Sequence, residues 1–247
     1  SGEKDKYVYG YKERETLFRE LGADDVFLAP LDFNFLSLGK LAFLNKMNKK
    51  YSVVGYVCGE DYCFGKFGEG KVKDLAIYAE QKKQKLVVVP PVLTDEGRKI
   101  STTYIKRLLA AGDLKKANAL LGRPYSFTGV VKEGRKVGTE IGFPTANVIP
   151  DKEKQPVRDG VYAGHLFIDG IRYKAVINYG TRPTFHLSDK LAEIHVIDFT
   201  GDLYGQEITV FMDAFLREIM KFYSEEDLAR HIEQDKKEVK EGNFGEF

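Results

Sequence analysis

Residues Val161–Asn178 read VYAGHLFIDGIRYKAVIN. Two alternating runs, Val161 to Ile168 and Ile171 to Asn178, flank the pair Asp169-Gly170. Asp-Gly between such runs predicts a two-residue hairpin, because a type I′ turn needs positive φ at both central residues. Downstream, Leu191 to Phe199 and Ile208 to Phe215 keep the period of two, joined by Thr200-Gly201-Asp202-Leu203-Tyr204-Gly205. Several short strands at this spacing predict an antiparallel β-barrel. The chain then turns helical. Ser224-Glu225-Glu226-Asp227 has the form of a capping box with Asp in place of Glu. Leu228, Ile232 and Val239 mark an apolar stripe, with Asp235 among them.

Upstream of Arg123-Pro124 the periodicity differs. Tyr11, Leu17, Phe18 and Leu21 have helical spacing that stops at Gly22. Val26-Phe27-Leu28-Ala29 suits a short buried strand, and Leu36 to Met47 reads as a helix. Val53 to Val57 and Leu86 to Val89 read as strands. Helices follow over Thr102 to Ala111 and from a cap at Asp113 to a stop at Gly122. Strands alternating with helices predict a parallel, doubly wound sheet. The fold class is therefore α/β plus all-β: a doubly wound domain over 1–122, which the resemblance described below implies to be partial, then an antiparallel barrel with a C-terminal helix over 123–247. The sequence has neither an internal repeat nor a low-complexity linker.

The composition is that of a packed protein, with 43% hydrophobic residues. Lys+Arg 38 against Asp+Glu 37 leaves a net charge of +1, which announces neither nucleic acid nor an anionic membrane as partner. The clusters Lys46 to Lys50 and Lys82-Lys83-Gln84-Lys85 read as solvated faces. Cys58 and Cys63 match no zinc spacing and fit free or buried thiols in a reducing cytoplasm. No apolar run approaches the ~18 residues of a membrane span, and no signal peptide is visible. The chain begins Ser1-Gly2, which reads as a tag scar or a cut and predicts further residues N-terminally.

Gly65-Lys66-Phe67-Gly68-Glu69-Gly70-Lys71-Val72 has the G-x4-G-K spacing of a phosphate loop. Val72 cannot supply the hydroxyl that holds Mg²⁺ there, so a surface loop is the better reading. Gly134, Gly138 and Gly142, at intervals of four, lead into Phe143-Pro144-Thr145-Ala146-Asn147. Such glycines let backbone N–H groups approach phosphates, and the Thr145 hydroxyl and Asn147 amide oxygen suit a hard cation. A glycine-rich hairpin followed by a turn, with Asn147 capping its own backbone, fits the spacing equally well. Glu193 lies in a run that is apolar on both faces, where a carboxylate tends toward a raised pKa and general-base work. A rim glutamate paired with a lysine or arginine is the reading that this strand alone favours. His195 reads as a structural hydrogen-bonding residue, and the four histidines have no metal-ligand spacing.

Taken in order, these blocks resemble the riboflavin kinase family. Gly142-Phe143-Pro144-Thr145-Ala146-Asn147 is similar to its signature. Asp159-Gly160-Val161-Tyr162-Ala163, Asn178-Tyr179-Gly180-Thr181-Arg182-Pro183-Thr184-Phe185, Glu193-Ile194-His195, Asp198-Phe199 and Asp202-Leu203-Tyr204-Gly205 follow in the family's order. Leu216-Arg217 and Lys221-Phe222 fit as well, so the resemblance covers 123 to about 240. It implies ATP and riboflavin as substrates and FMN and ADP as products, with Mg²⁺ as cofactor and Zn²⁺ or Mn²⁺ as alternatives. It implies nucleotide binding by Gly134, Gly138, Gly142, Pro144, Thr145 and Asn147. Thr145 and Asn147 would hold the metal, Glu193 would be the base, and Arg217 would close over the flavin. A flat apolar slot is implied for the flavin, with no individual ring singled out among 17 Phe and 14 Tyr.

The first half resembles the adenylyltransferase module of bacterial bifunctional enzymes that make FMN and then FAD. Gly59-Glu60-Asp61-Tyr62-Cys63-Phe64-Gly65, Ile100-Ser101-Thr102-Thr103-Tyr104-Ile105-Lys106 and Leu121-Gly122-Arg123-Pro124-Tyr125 carry that likeness. It points to Asp61, Ser101, Thr102, Thr103 and Lys106 as site residues. The family's His-x-Gly-His element occurs nowhere in these residues, and Tyr104 and Lys106 stand where arginines are usual. Thr139 replaces a frequent arginine in the glycine loop. The expectation is a riboflavin kinase whose 247 residues alone do not make FAD efficiently. Two other classes remain in view: a non-catalytic flavin-binding barrel, and a barrel binding single-stranded nucleic acid, against which the near-neutral charge speaks.

Overall fold

A computed structural model describes residues 6–29, 31–132, 143–181 and 190–244. Packing divides the chain into two compact units, Glu15–Ile100 on one side and Ser101–Phe247 with Ser1–Arg14 on the other. Helix α1 covers Tyr11–Glu20.

Within Glu15–Ile100, the helical pattern of Leu36 to Met47 is broken into two. Helix α2 (Phe33–Leu36) is capped by Asp32, whose carboxylate accepts from the Phe35 N–H at 2.8 Å. Helix α3 (Lys40–Lys50) starts afresh after Gly39. Strand β1 (Gly55–Gly59) leads to a small antiparallel pair, β2 (Cys63–Phe64) with β3 (Gly70–Lys71). The G-x4-G-K segment forms this turn, with φ of 75° at Gly65 and 66° at Gly68, and it runs straight into helix α4 (Val72–Gln81). Strand β4 (Lys85–Val89) then pairs in parallel with β1 from Gly55↔Lys85 to Gly59↔Val89. Leu44, Phe64, Leu75 and Tyr78 form the core beneath this two-stranded sheet. The expected strand at Val26–Ala29 does not form. An apolar run becomes a strand only where a neighbour takes its backbone hydrogen bonds, and no described strand pairs with it. Phe27 and Leu28 stay exposed, the Phe27 ring resting 5.1 Å from that of Tyr51.

Helices α5 (Thr102–Ala111) and α6 (Leu114–Leu121) begin and end as the sequence predicts. Ser101 caps the first and Asp113 the second, and Gly112 and Gly122 close them in the left-handed conformation. Their packing departs from a division at residue 122. Fully buried Asn118 donates to the Met212 carbonyl at 2.9 Å and accepts from the Tyr125 N–H at 2.8 Å. The Arg158 N–H donates to the Leu109 carbonyl at 3.1 Å. Both helices thus satisfy barrel backbone groups and belong to its unit.

The barrel contains β5 (Tyr125–Lys132), β6 (Ala146–Val148), β7 (Gly160–Ile168), β8 (Ile171–Thr181), β9 (Lys190–Val196) and β10 (Glu207–Arg217). It closes in the order β10-β5-β6-β9-β8-β7, which leaves no free sheet edge. The decisive turn is as read: Asp169 has φ 49° and Gly170 φ 79°, between strands in register to Ile168↔Ile171. Strand β9 stops short of Phe199, because Asp198 turns the chain with φ 58° after the last rung, from the Ile197 N–H to the Lys174 carbonyl. Period-two alternation sends the row Tyr162, Ile177, Ile194 and Ala146 to the buried interior.

The outer face of β7 and β8 is buried as well. Helix α7 (Glu225–Glu241), capped by the Ser224 hydroxyl accepting from the Asp227 N–H at 3.1 Å, lays Val239 onto Val161, Ala163, Val176 and Ile197. Cys58 and Cys63 are free thiols. No described helix is long and apolar enough to cross a membrane.

Candidate active site

Strand pairing brings one row of outward side chains together. Asn147 on β6 faces Glu193 on β9, Glu193 faces Asn178 on β8, Asn178 faces Val161 on β7, and Val161 faces Arg217 on β10. Directly paired residues project to the same side of a sheet. Between this row and helix α7 lies a cavity of about 330 Å³. Its wall includes Thr145, Asn178, Glu193, His195 and Arg217 from the barrel, and Leu228, Ile232 and Asp235 from α7. Among the described residues, the phenylalanine rings that line it are Phe143 and Phe222. Its size and mainly apolar lining suit a small organic ligand.

Glu193 is half-buried, and Asn178 Nδ2 donates to its Oε2 at 3.1 Å. His195, two residues on, shares its face; its Nδ1 lies 3.0 Å from the Pro144 carbonyl. A carbonyl only accepts, so Nδ1 carries the proton. Burial pushes this imidazole below its ordinary pKa, with the Pro144 bond opposing. A neutral His195 therefore anchors the backbone one residue before Thr145, and the Phe143 ring meets it edge-on at 5.5 Å. His195 thus makes the structural hydrogen bond expected of it, and it also lines the cavity.

Arg217 is held bidentately by Asp235, Nε to Oδ1 at 2.9 Å and Nη2 to Oδ2 at 2.7 Å. Its Nη1 donates to the Glu218 carbonyl at 3.1 Å, and the guanidinium sits 5.9 Å from the Phe222 ring centre. Arg217 thus lines the cavity while tying the end of β10 to α7.

A second, smaller cavity of about 90 Å³ lies against Pro144, Thr145, Ala146, Phe199, Leu203 and Tyr204. Thr145 lines both cavities. Gly134, Gly138 and Gly142, with Thr139, lie outside the described residues, as do Arg182 to Phe185.

The adenylyltransferase-like residues fall in different units. Asp61 is paired with Lys99 at 2.6 Å, which holds its carboxyl below the usual range. Ser101 caps α5, accepting from the Tyr104 N–H at 3.2 Å, with Thr102 and Thr103 exposed in the first turn and Lys106 half-buried in the second. Tyr104, where an arginine is usual, is buried.

Sequence reading singled out neither Asn178 nor Asp235 as a site residue. The hairpin register could have flagged Asn178 as outward-facing. Asp235 was visible only as a polar break in an apolar stripe.

A closed six-stranded barrel with a helix-covered polar row defines the class, and comparison with known proteins defines the family. The riboflavin kinase family model matches residues 121–242, and the FAD synthetase model matches 2–104. The bifunctional riboflavin kinase/FMN adenylyltransferase of Listeria monocytogenes is 33% identical over 236 residues, 95% of this chain and 74% of the relative. That of Bacillus subtilis is 33% identical over 231 residues, 92% of this chain and 72% of the relative. A crystal structure of a macrolide-efflux protein from Streptococcus pneumoniae superposes with a TM-score of 0.87 at 29% identity, covering 96% of this chain and 77% of that one. The chain belongs to the bifunctional riboflavin kinase/FMN adenylyltransferase family.

Proposed function

We propose that the barrel unit transfers the γ-phosphate of ATP to the terminal ribityl hydroxyl of riboflavin, giving FMN and ADP. The observation that carries this reading is the Glu193 carboxylate on the wall of an apolar cavity that Thr145 shares with a second cavity. Riboflavin occupies the larger space, with its ring between Phe143 and Phe222. Pro144, Thr145 and Asn147 face the nucleotide, and Gly134, Gly138 and Gly142 supply backbone N–H groups to its phosphates. Glu193 takes the hydroxyl proton as that oxygen attacks the γ-phosphorus and the bond to ADP breaks. Positioning and charge neutralisation do most of the work in such a transfer.

The donor chemistry fits a hard cation. Among the described residues no group of three or more His, Cys, Asp or Glu could hold a metal. Thr145 and Asn147 offer two neutral oxygens, which suits Mg²⁺ completing its shell with phosphate and water. Once bound, the cation neutralises phosphate charge. Asn147→Ala is expected to weaken MgADP binding by about 10- to 100-fold, the scale of a lost interaction with a charged group. Isothermal titration would show this, with ADP in chelator as the control that stays unchanged. Normal MgADP affinity contradicts the metal role.

For the FAD synthetase half we propose that these 247 residues alone make little FAD, because no His-x-Gly-His occurs among them. The free thiols are compatible with a reducing cytoplasm. Chromatography of flavins after incubation with riboflavin and MgATP tests the whole reading. FMN without FAD is the expected result. FMN followed by FAD leaves the kinase standing and removes the claim about the first half. Riboflavin bound but unconverted, across several divalent metals, makes the barrel a flavin-binding module.

A further inference from the structure

We propose that Asn178 is a positioning residue for the phosphotransfer, holding Glu193 in the orientation from which it accepts the proton. The inference rests on the kinase reading and deepens it. Its ground is the 3.1 Å bond from Asn178 Nδ2 to Glu193 Oε2, between residues directly opposed on β8 and β9. A glutamate side chain has several rotatable bonds, whereas a base must stay within about 3 Å of the proton it takes. Asn178 is shorter and rises from a strand covered on both faces, so its amide is the better-fixed partner. The bond fixes one carboxylate oxygen, Oε2. An amide orients the carboxylate without bringing a positive charge, which would lower its basicity. Asn178 lies on the cavity wall with Glu193, so the contact sits where the ribityl hydroxyl must arrive.

The test is a double-mutant cycle read in steady-state kinetics. Asn178→Leu keeps the shape and removes the donor. It is expected to lower kcat by about 10- to 100-fold, the scale of a slightly misplaced reacting group, and to leave the KM for riboflavin and for ATP within twofold. In a Glu193→Gln background the same change should have no further effect on kcat, because two residues acting through one step are not additive. Should Asn178→Leu fail to fold, Asn178→Asp serves. It is isosteric, sets one carboxylate against another, and should lower kcat at least as far.

A kcat within twofold of the unsubstituted protein, or equal losses in both backgrounds, overturns the proposal. If Glu193→Gln is slow while the Asn178 variants are not, the base stands and only the positioning role falls. Normal turnover by Glu193→Gln removes both.

Discussion

Glu193→Gln is expected to lower kcat by about 10²- to 10⁴-fold, the range over which a positioned general base contributes. The substitution is isosteric, and the glutamine carbonyl can still accept from Asn178 Nδ2. Folding and ligand binding should therefore survive. Riboflavin affinity by fluorescence titration and MgADP affinity by calorimetry should stay near the values of the unsubstituted protein. This contrast separates the two readings of Glu193. A rim carboxylate with a merely structural partner would lose stability or substrate affinity and keep its turnover. A base loses turnover and keeps the rest. Unchanged kcat takes Glu193 out of the mechanism, and the pairing of Asn147, Glu193 and Asn178 would then need another explanation.

The barrel was legible because its signals are local. Asp169-Gly170 fixes a turn type, the turn fixes the register of β7 and β8, and period two then fixes which side chains face inward. The caps at Ser101, Asp113 and Ser224 are local as well, each a side chain accepting from an N–H three residues on. Two of the three failures were non-local. Val26–Ala29 has the composition of a strand, but composition does not supply a pairing partner. The helix from Leu36 to Met47 broke because Asp32 and Gly39 open separate first turns. The association of α5 and α6 with the barrel depends on Asn118 meeting a carbonyl 94 residues away, a contact that periodicity cannot carry.

The site divides the same way. Glu193, Thr145 and Asn147 were named from ordered motifs, and strand pairing sets Asn147 directly opposite Glu193. Asn178 emerged only when β8 and β9 were seen side by side. Arg217 was named as a residue over the flavin, but its partner on α7 was not. Its guanidinium is engaged by Asp235, so a role read from one motif turns out to be shared with a residue 18 positions downstream.

That partnership leads to the second large effect. Asp235→Ala is expected to destabilise the protein by about 2 to 4 kcal/mol, near the lower part of the range for breaking a buried ion pair, since Arg217 is partly solvated. The loss has two sources. Arg217 keeps a half-buried charge, with the Glu218 carbonyl and the Phe222 ring beside it among the described residues. Helix α7 loses the link that joins its cavity-facing side to the end of β10. Because α7 supplies Leu228 and Ile232 to the cavity wall, the KM for riboflavin should rise while kcat changes little. Thermal unfolding with and without riboflavin measures the first effect, and initial rates measure the second.

The double variant Arg217→Met with Asp235→Leu sharpens the test. Replacing both members of a buried pair by apolar side chains of similar size is often neutral or stabilising. The double variant should therefore recover most of the lost stability. If Arg217 serves only to tie α7 down, riboflavin affinity recovers with it. If the guanidinium also touches the flavin, stability returns and affinity does not. Full stability in the single Asp235→Ala variant would mean that the bidentate pair contributes nothing measurable, and α7 would then be held by Val239 with its apolar neighbours and by the links of Lys174 to the Lys240 carbonyl and of Lys240 to Asp198.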